Sequence, residues 1–235
     1  MRPNGLVIAI DGPAGAGKST VARELARRLG YVYVDTGAMY RVVGLLARER
    51  GIAPDDGPRL GELAGGVSIR FVAGLDAEQS VFANDRDVTA PIREQDVGEW
   101  ASKVSIRPEV RERMVAAQRE MGRQGGVVLE GRDIGTVVFP DADLKFYLDA
   151  TAEERGLRRH RQLQERGETA SLADIVAEIA SRDQRDQSRA HSPLRCAPDA
   201  LRIETTALAP EDVVTELLGR CRARLRSAGS GVQKP

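Results

Sequence analysis

Short unbroken apolar runs alternate along this chain with longer stretches whose apolar residues recur at helical spacing. Leu6-Val-Ile-Ala-Ile10 is the first such run; it ends at Asp11 and predicts a parallel strand buried on both faces. Thr20–Leu29 follows with a helical apolar pattern closed by Gly30. Tyr31–Val34 predicts a second strand, and Gly37–Arg50 a helix stopped by Gly51 and Pro54. Between Asp55 and Thr89 the texture changes. Glycines and the short alternating runs Val67–Val72 and Val81–Ala83 predict an insertion of small antiparallel strands. Ile92–Ser105 and Pro108–Gly122 read as helices, Val127–Leu129 and Leu144–Leu148 as buried strands. Ala152–Arg166 and Leu172–Arg189 predict arginine-rich helices, Leu201–Ile203 a last strand, and Pro210–Arg226 a closing helix with proline at its start and Asp212 in its first turn. Ser227–Pro235 is glycine-rich and predicts a disordered tail.

Strands alternating with helices imply a parallel sheet with helices on both faces. The expected fold class is therefore α/β: a three-layer α/β/α core on a five-stranded parallel sheet, with a small, mostly antiparallel β insertion. A chain of 235 residues is long enough to bury a sizeable core without a metal or disulfide staple.

Charge and composition narrow the function. Thirty-five basic and 35 acidic residues cancel, which argues against a polycation made for nucleic acid or an anionic membrane. No apolar run approaches the ~20 residues of a membrane span. Residues 1–4 pass straight into a strand and a glycine loop, so no cleavable signal peptide is expected. Cys196 and Cys221 lack disulfide-framework and metal-ligand spacing, both read as structural, and a reducing cytoplasm fits them. The only histidines, His160 and His191, exclude a multi-His metal site. Only Lys18, Lys103, Lys145 and Lys234 among the basic residues are lysine. Arginine codon bias explains such a skew, and so does a need for bidentate phosphate contacts; position separates the two.

Gly12-Pro13-Ala14-Gly15-Ala16-Gly17-Lys18-Ser19 matches G-x-x-x-x-G-K-[ST] between a strand and the helix that Thr20 opens. Glycines let backbone N–H groups curl around a phosphate, and the helix N-terminus adds positive potential. Lys18 suits the β- and γ-phosphates, and the Ser19 hydroxyl suits Mg²⁺. The motif points to a nucleoside triphosphate with Mg²⁺. No guanine-reading Asn-Lys-x-Asp is present. Other clusters suggest a small anionic acceptor. Thr36 and Gly37 open a helix, with Tyr40 and Arg41 a turn later. Glu130-Gly-Arg132-Asp133 follows a strand at the edge where such sheets bind ligands. Glu130 reads equally as a carboxylate orienting Mg²⁺ through water and as a salt-bridge or cap partner. Arg182, Asp186 and Arg189 share one face of a predicted helix, near Arg185, although plain i,i+4 salt bridges would use the same residues. Arg155, Arg158 and Arg159 cluster on another helix, in a stretch to Gly167 that reads as a lid over phosphates.

These residues resemble the bacterial cytidylate kinases, within the P-loop nucleoside monophosphate kinases. The resemblance rests on Ile10–Thr20, on Asp35-Thr-Gly-Ala-Met-Tyr-Arg41, on Glu130–Ala142 with its Phe139-Pro140-Asp141, and on Arg182, Asp183, Asp186 and Arg189. It covers the chain to about Arg226. It implies one kinase domain with a core over about 1–54, 106–150 and 190–226, a monophosphate-binding insertion over about 55–105, a lid over about 151–189 and the tail. It also implies ATP:CMP phosphotransfer to CMP or dCMP in pyrimidine nucleotide metabolism, by a monomer that takes neither nucleic acid nor membrane as partner. Carried over residue by residue, Thr36, Tyr40, Arg41, Arg132 and Arg189 surround the acceptor phosphate and sugar. Ser102, Arg111 and Asp133 read the base, and Arg182 and Asp186 hold the ribose. Lys18, Arg132, Arg158 and Arg189 are the expected catalytic set. Glu130 stands where some relatives have Asp. Other small-molecule kinases (for UMP, AMP or shikimate) and a nucleotide-responsive binding protein remain as alternatives.

Overall fold

The computed structural model describes residues 2–73, 79–165, 167–189 and 191–229. Five strands form a parallel sheet in the order β2-β6-β1-β7-β8: β1 (Val7–Asp11), β2 (Val32–Asp35), β6 (Val127–Gly131), β7 (Leu144–Asp149) and β8 (Leu201–Glu204). Register runs Asp11 opposite Gly131 on one side and Asp11 opposite Tyr147 on the other, so β1 is central and its C-terminal end is flanked on both sides. In open α/β sheets that end is where ligands bind. Three short antiparallel strands make a second sheet: β3 (Ile69–Ala73), β4 (Gln79–Ala83) and β5 (Arg86–Asp87).

Two compact units emerge: one comprises the residues up to Tyr33 with those from Gln124 onward, the other Val34–Arg123. The first unit packs helix α1 (Lys18–Leu29) and α8 (Pro210–Gly229) over the sheet. Leu25, Val213, Leu217 and Cys221 meet Ile8, Ile10, Phe146 and Leu148 in one buried cluster. Apolar faces at helical spacing bury here, and their removal from water is the driving force. Helices α6 (Ala152–Glu165) and α7 (Leu172–Gln187) form a hairpin on their own small cluster of Leu163, Ile175 and Ile179. In the second unit α2 (Thr36–Glu49) packs on α4 (Gln95–Val104), and α3 (Gly57–Gly65) on α5 (Pro108–Gly122). A Cβ at Gly44 would lie 2.8 Å from the Ala101 nitrogen, so α2 and α4 approach to backbone contact there.

Several expectations need correction. Asp55–Thr89 is not all strand: Asp56 caps α3, accepting from the Arg59 amide at 3.2 Å, with Pro58 in the first turn and Leu60, Leu63 and Ala64 buried. The many glycines mask that helical pattern. A 3₁₀ turn, Pro91–Arg93, separates from α4. The α7 helix ends at Gln187, leaving Arg189 beyond it. The closing helix continues through Ser227 to Gly229; the rest of the expected tail, 230–235, lies outside the described residues. Cys196 is exposed, so only Cys221 is a core cysteine; both are free thiols. No described helix is long and apolar enough to cross a membrane.

Burial lifts the Cys221 thiol to about 12. Between pH 9 and 12 the unfolded chain releases this proton and the fold keeps it, so stability falls as pH rises through that window. Cys221→Ala is expected to lower Tm at pH 7 by a few degrees, yet to lose less Tm than wild type between pH 8.5 and 10 in thermal melts.

Candidate active site

The phosphate loop joins β1 to α1. Gly12 sits at φ 149°, and a Cβ there would lie 2.0 Å from the Leu148 carbonyl oxygen, so only glycine fits. Three carbonyls of the loop are turned onto donors. Pro13 O accepts from Lys18 Nζ at 2.6 Å, Ala14 O from an Arg155 guanidinium nitrogen at 3.0 Å, and Ala16 O from Thr205 Oγ1 at 3.4 Å. The carbonyls of Ala14 and Ala16 are thus tied to Arg155 and Thr205, which holds the loop against the start of α6 and the end of β8. Ser19 and Thr20 are exposed in the first turn of α1.

Lys18 is buried, and its ammonium is pushed down to about 7, first by burial and then by Arg132; Glu130 and Asp11 work the other way. A polyphosphate bound beside it would favour the charged ammonium. Asp11, at the end of β1, accepts from the Ile134 amide at 2.8 Å and the Gly135 amide at 2.7 Å, anchoring the π-helical turn Ile134–Val138 behind Asp133. Burial raises the Asp11 carboxyl to about 6, against the pull of those two amides. Glu130 is buried on β6 and accepts a short hydrogen bond from the Tyr33 hydroxyl.

Arg132 and Arg189 meet on one carboxylate. Arg132 Nε donates to Asp186 Oδ2 at 2.9 Å, and Arg189 donates to Asp186 Oδ1 at 2.5 Å. Asp186 is buried; burial works to raise its carboxyl, but the two arginines outweigh that and hold it below the usual range. Arg182 is half-buried and adds positive charge toward both Lys18 and Asp186, while Arg185 is exposed and turns back onto Ser181 O. Arg158 lies beside the loop, its guanidinium 3.8 Å from where a Gly17 Cβ would stand, and donates to Thr205 O at 2.6 Å and to Glu154 at 3.0 Å.

The second unit gathers its own set. Asp35 caps α2 by accepting from the Ala38 amide at 2.9 Å, which places Thr36 and Tyr40 one turn apart on the same face. Arg41 donates to Ile92 O at 3.0 Å. The Arg111 guanidinium stacks over the Tyr40 ring at 5.7 Å and donates to Ser105 O at 3.3 Å; Ser105 Oγ donates in turn to Ser102 O at 3.1 Å. Tyr40, Arg111 and Ser102 are thus brought into one cluster.

A cytidylate kinase family profile matches residues 8–223. A cytidylate kinase of Geobacter sp. (strain M21) is 48% identical over 231 residues, spanning 98% of this chain and 99% of its own. One of Syntrophotalea carbinolica is 50% identical over 213 residues, spanning 91% and 90%. The chain belongs to the cytidylate kinase family. Among solved structures, a gluconokinase from Sinorhizobium meliloti 1021 shares the fold, with TM-score 0.50 at 12% identity over 99% of this chain and 100% of that one. Family membership selects the cytidylate kinase reading over the alternative acceptors.

Sequence reasoning missed three contributors to this site, Asp11, Tyr33 and Thr205, none of which carries a local signal. Arg155, read from the sequence as one of a cluster of lid arginines, lies against the phosphate loop at Ala14 O. Gly12→Ala is expected to weaken ATP binding about tenfold or more in a fluorescence titration, because a methyl must displace the Leu148 carbonyl at positive φ. Gly219→Ala, in open space, serves as the control and is expected to leave binding unchanged.

Proposed function

We propose that this protein transfers the γ-phosphoryl group of ATP to CMP or dCMP, giving ADP and CDP or dCDP. The observation that carries the reading is a complete phosphate loop in the same compact unit as two arginines held on one buried carboxylate, Asp186. An acceptor phosphate oxygen attacks the γ-phosphorus as the bond to the β,γ-bridging oxygen breaks. That oxygen is already ionised near neutral pH, so no general base is required, and catalysis rests on positioning and charge stabilisation. Lys18, Arg132, Arg158 and Arg189 share the developing charge. Ser19, an exposed hydroxyl at the loop's end, is the residue that would hold Mg²⁺, which would draw charge from the β- and γ-phosphates.

For the acceptor, the resemblance supports Thr36, Tyr40, Arg41, Arg132 and Arg189 around phosphate and sugar, and Arg182 and Asp186 at the ribose. Ser102, Arg111 and Asp133 read the base. Cytosine presents an N4 donor and N3 and O2 acceptors. A carboxylate at Asp133 suits the donor, and a guanidinium at Arg111 suits the acceptors. Uracil reverses the polarity at positions 4 and 3, and buried mismatches of that kind are strongly rejected. The α6–α7 hairpin acts as the lid, and two free thiols fit a cytoplasmic setting.

Coupled ADP formation against CMP, dCMP, UMP, AMP and shikimate tests the reading. Turnover is expected with CMP and dCMP alone, and Asp133→Ala is expected to lose or loosen that preference. ATP binding without turnover on any acceptor would instead favour a nucleotide-responsive binding protein. Arg132→Ala and Arg189→Ala are each expected to lower kcat/KM for CMP about 10–100-fold while changing the ATP dissociation constant little, as read by kinetics and ligand titration.

A further inference from the structure

Arg155 and Asp183 belong to the two arginine-rich segments, and neither is among the residues assigned above to ATP, the acceptor or the developing charge. Arg155 is buried, and its guanidinium is divided among three elements. Nε donates to Ala150 O at 2.9 Å, just past the end of β7. One terminal nitrogen donates to Ala14 O in the phosphate loop at 3.0 Å. The other meets Asp183 Oδ2 of α7 at 2.5 Å. The stem is equally committed: a Cβ at Gly15 would stand 3.0 Å from Arg155 Cβ, so α6 lies directly on the loop. Asp183 Oδ1 is buried without a hydrogen-bond partner among the described residues, so its charge is balanced from the Arg155 side. Asp183 is one residue from Arg182 and three from Asp186, which holds Arg132 and Arg189. A continuous chain of contacts thus runs from the donor loop through Arg155 and Asp183, along one turn of α7, to the acceptor-side arginines.

We propose that Arg155 and Asp183 are a positioning pair that keeps the phosphate loop in register with the Asp186 cluster; the inference rests on the phosphotransfer reading for its consequence and on geometry for its existence. Neither residue touches the reacting atoms. A fork with donors in fixed directions can satisfy a carbonyl in the loop, a carbonyl at a strand end and a carboxylate on a helix at once, and a lysine ammonium cannot reach all three. The pair also anchors the base of the α6–α7 hairpin, which confines any lid motion to the part beyond it, around Leu163 and Ile175.

The test compares wild type with Asp183→Ala, Arg155→Lys and the double variant, with Asp183→Asn as a milder probe should Asp183→Ala fold poorly. Steady-state kinetics with ATP and CMP are read beside thermal melting and hydrogen exchange at residues 12–17. Each single variant is expected to lower kcat on the order of 10–100-fold with KM for ATP little changed, and to speed exchange in the loop. The double variant is expected to be no slower than the slower single one, because both cut the same link. Loss of Tm with kcat and loop exchange unchanged would overturn the proposal and leave the pair a purely structural brace. Multiplying effects in the double variant would overturn it as well. A wild type inactive toward CMP would defeat the functional reading, while loop exchange in Asp183→Ala would still decide this inference.

Discussion

Positive charge crowded at the C-terminal ends of β1 and β6 is the constraint to which the rest of this site answers. Arg132 and Arg182 both act on Lys18, Arg132 the more strongly, and Arg132, Arg189 and Arg182 all act on Asp186. Such a group stays together only if buried carboxylates stand between its members. Asp186 takes two arginines, Asp183 takes a third, and Glu130 and Asp11 face Lys18. The balance is deliberately incomplete at Lys18, whose burial leaves it short of negative charge. A polyphosphate bound at the loop would complete it.

The fold makes this arrangement possible by delivering each group from a different element to one sheet edge. A central β1 flanked by β6 and β7 brings the loop, the Glu130–Asp133 segment and the start of α6 to neighbouring strand ends. The core of Ile8, Ile10, Leu25, Phe146 and Leu217 fixes those ends, and hydrogen bonds to loop carbonyls fix the loop on them. In the second unit, α2 and α4 pack closely enough at Gly44 to set Tyr40, Arg111 and Ser102 in a cluster of their own. Preorganisation of this kind is what electrostatic catalysis requires, since nothing need be reoriented as charge moves.

What the sequence revealed followed the range of each signal. The phosphate loop is a local motif whose meaning depends only on the strand before it and the helix after it, and both were readable from apolar spacing. The parallel sheet was equally legible, because its strands are unbroken apolar runs. Helix α3 was not, because glycine-rich texture concealed Leu60, Leu63 and Ala64 behind an apparent strand pattern. Helical spacing brought Arg182, Asp186 and Arg189 together, yet the helix stops at Gln187 and Arg189 reaches Asp186 from beyond the cap. Arg155 and Arg158 look alike in sequence; only tertiary structure shows that one is buried against the loop and the other bonded to Thr205. Asp11 and Tyr33 act through partners more than 90 residues away in the chain, beyond the reach of any local pattern.

One buried carboxylate, Asp186, holds both Arg132 and Arg189 in place. Asp186→Asn tests it most directly, because the substitution keeps the shape and removes the charge. The account predicts that kcat/KM for CMP falls about 100-fold, the scale of charge-assisted hydrogen bonds lost to two arginines. A value within about threefold of wild type would contradict it.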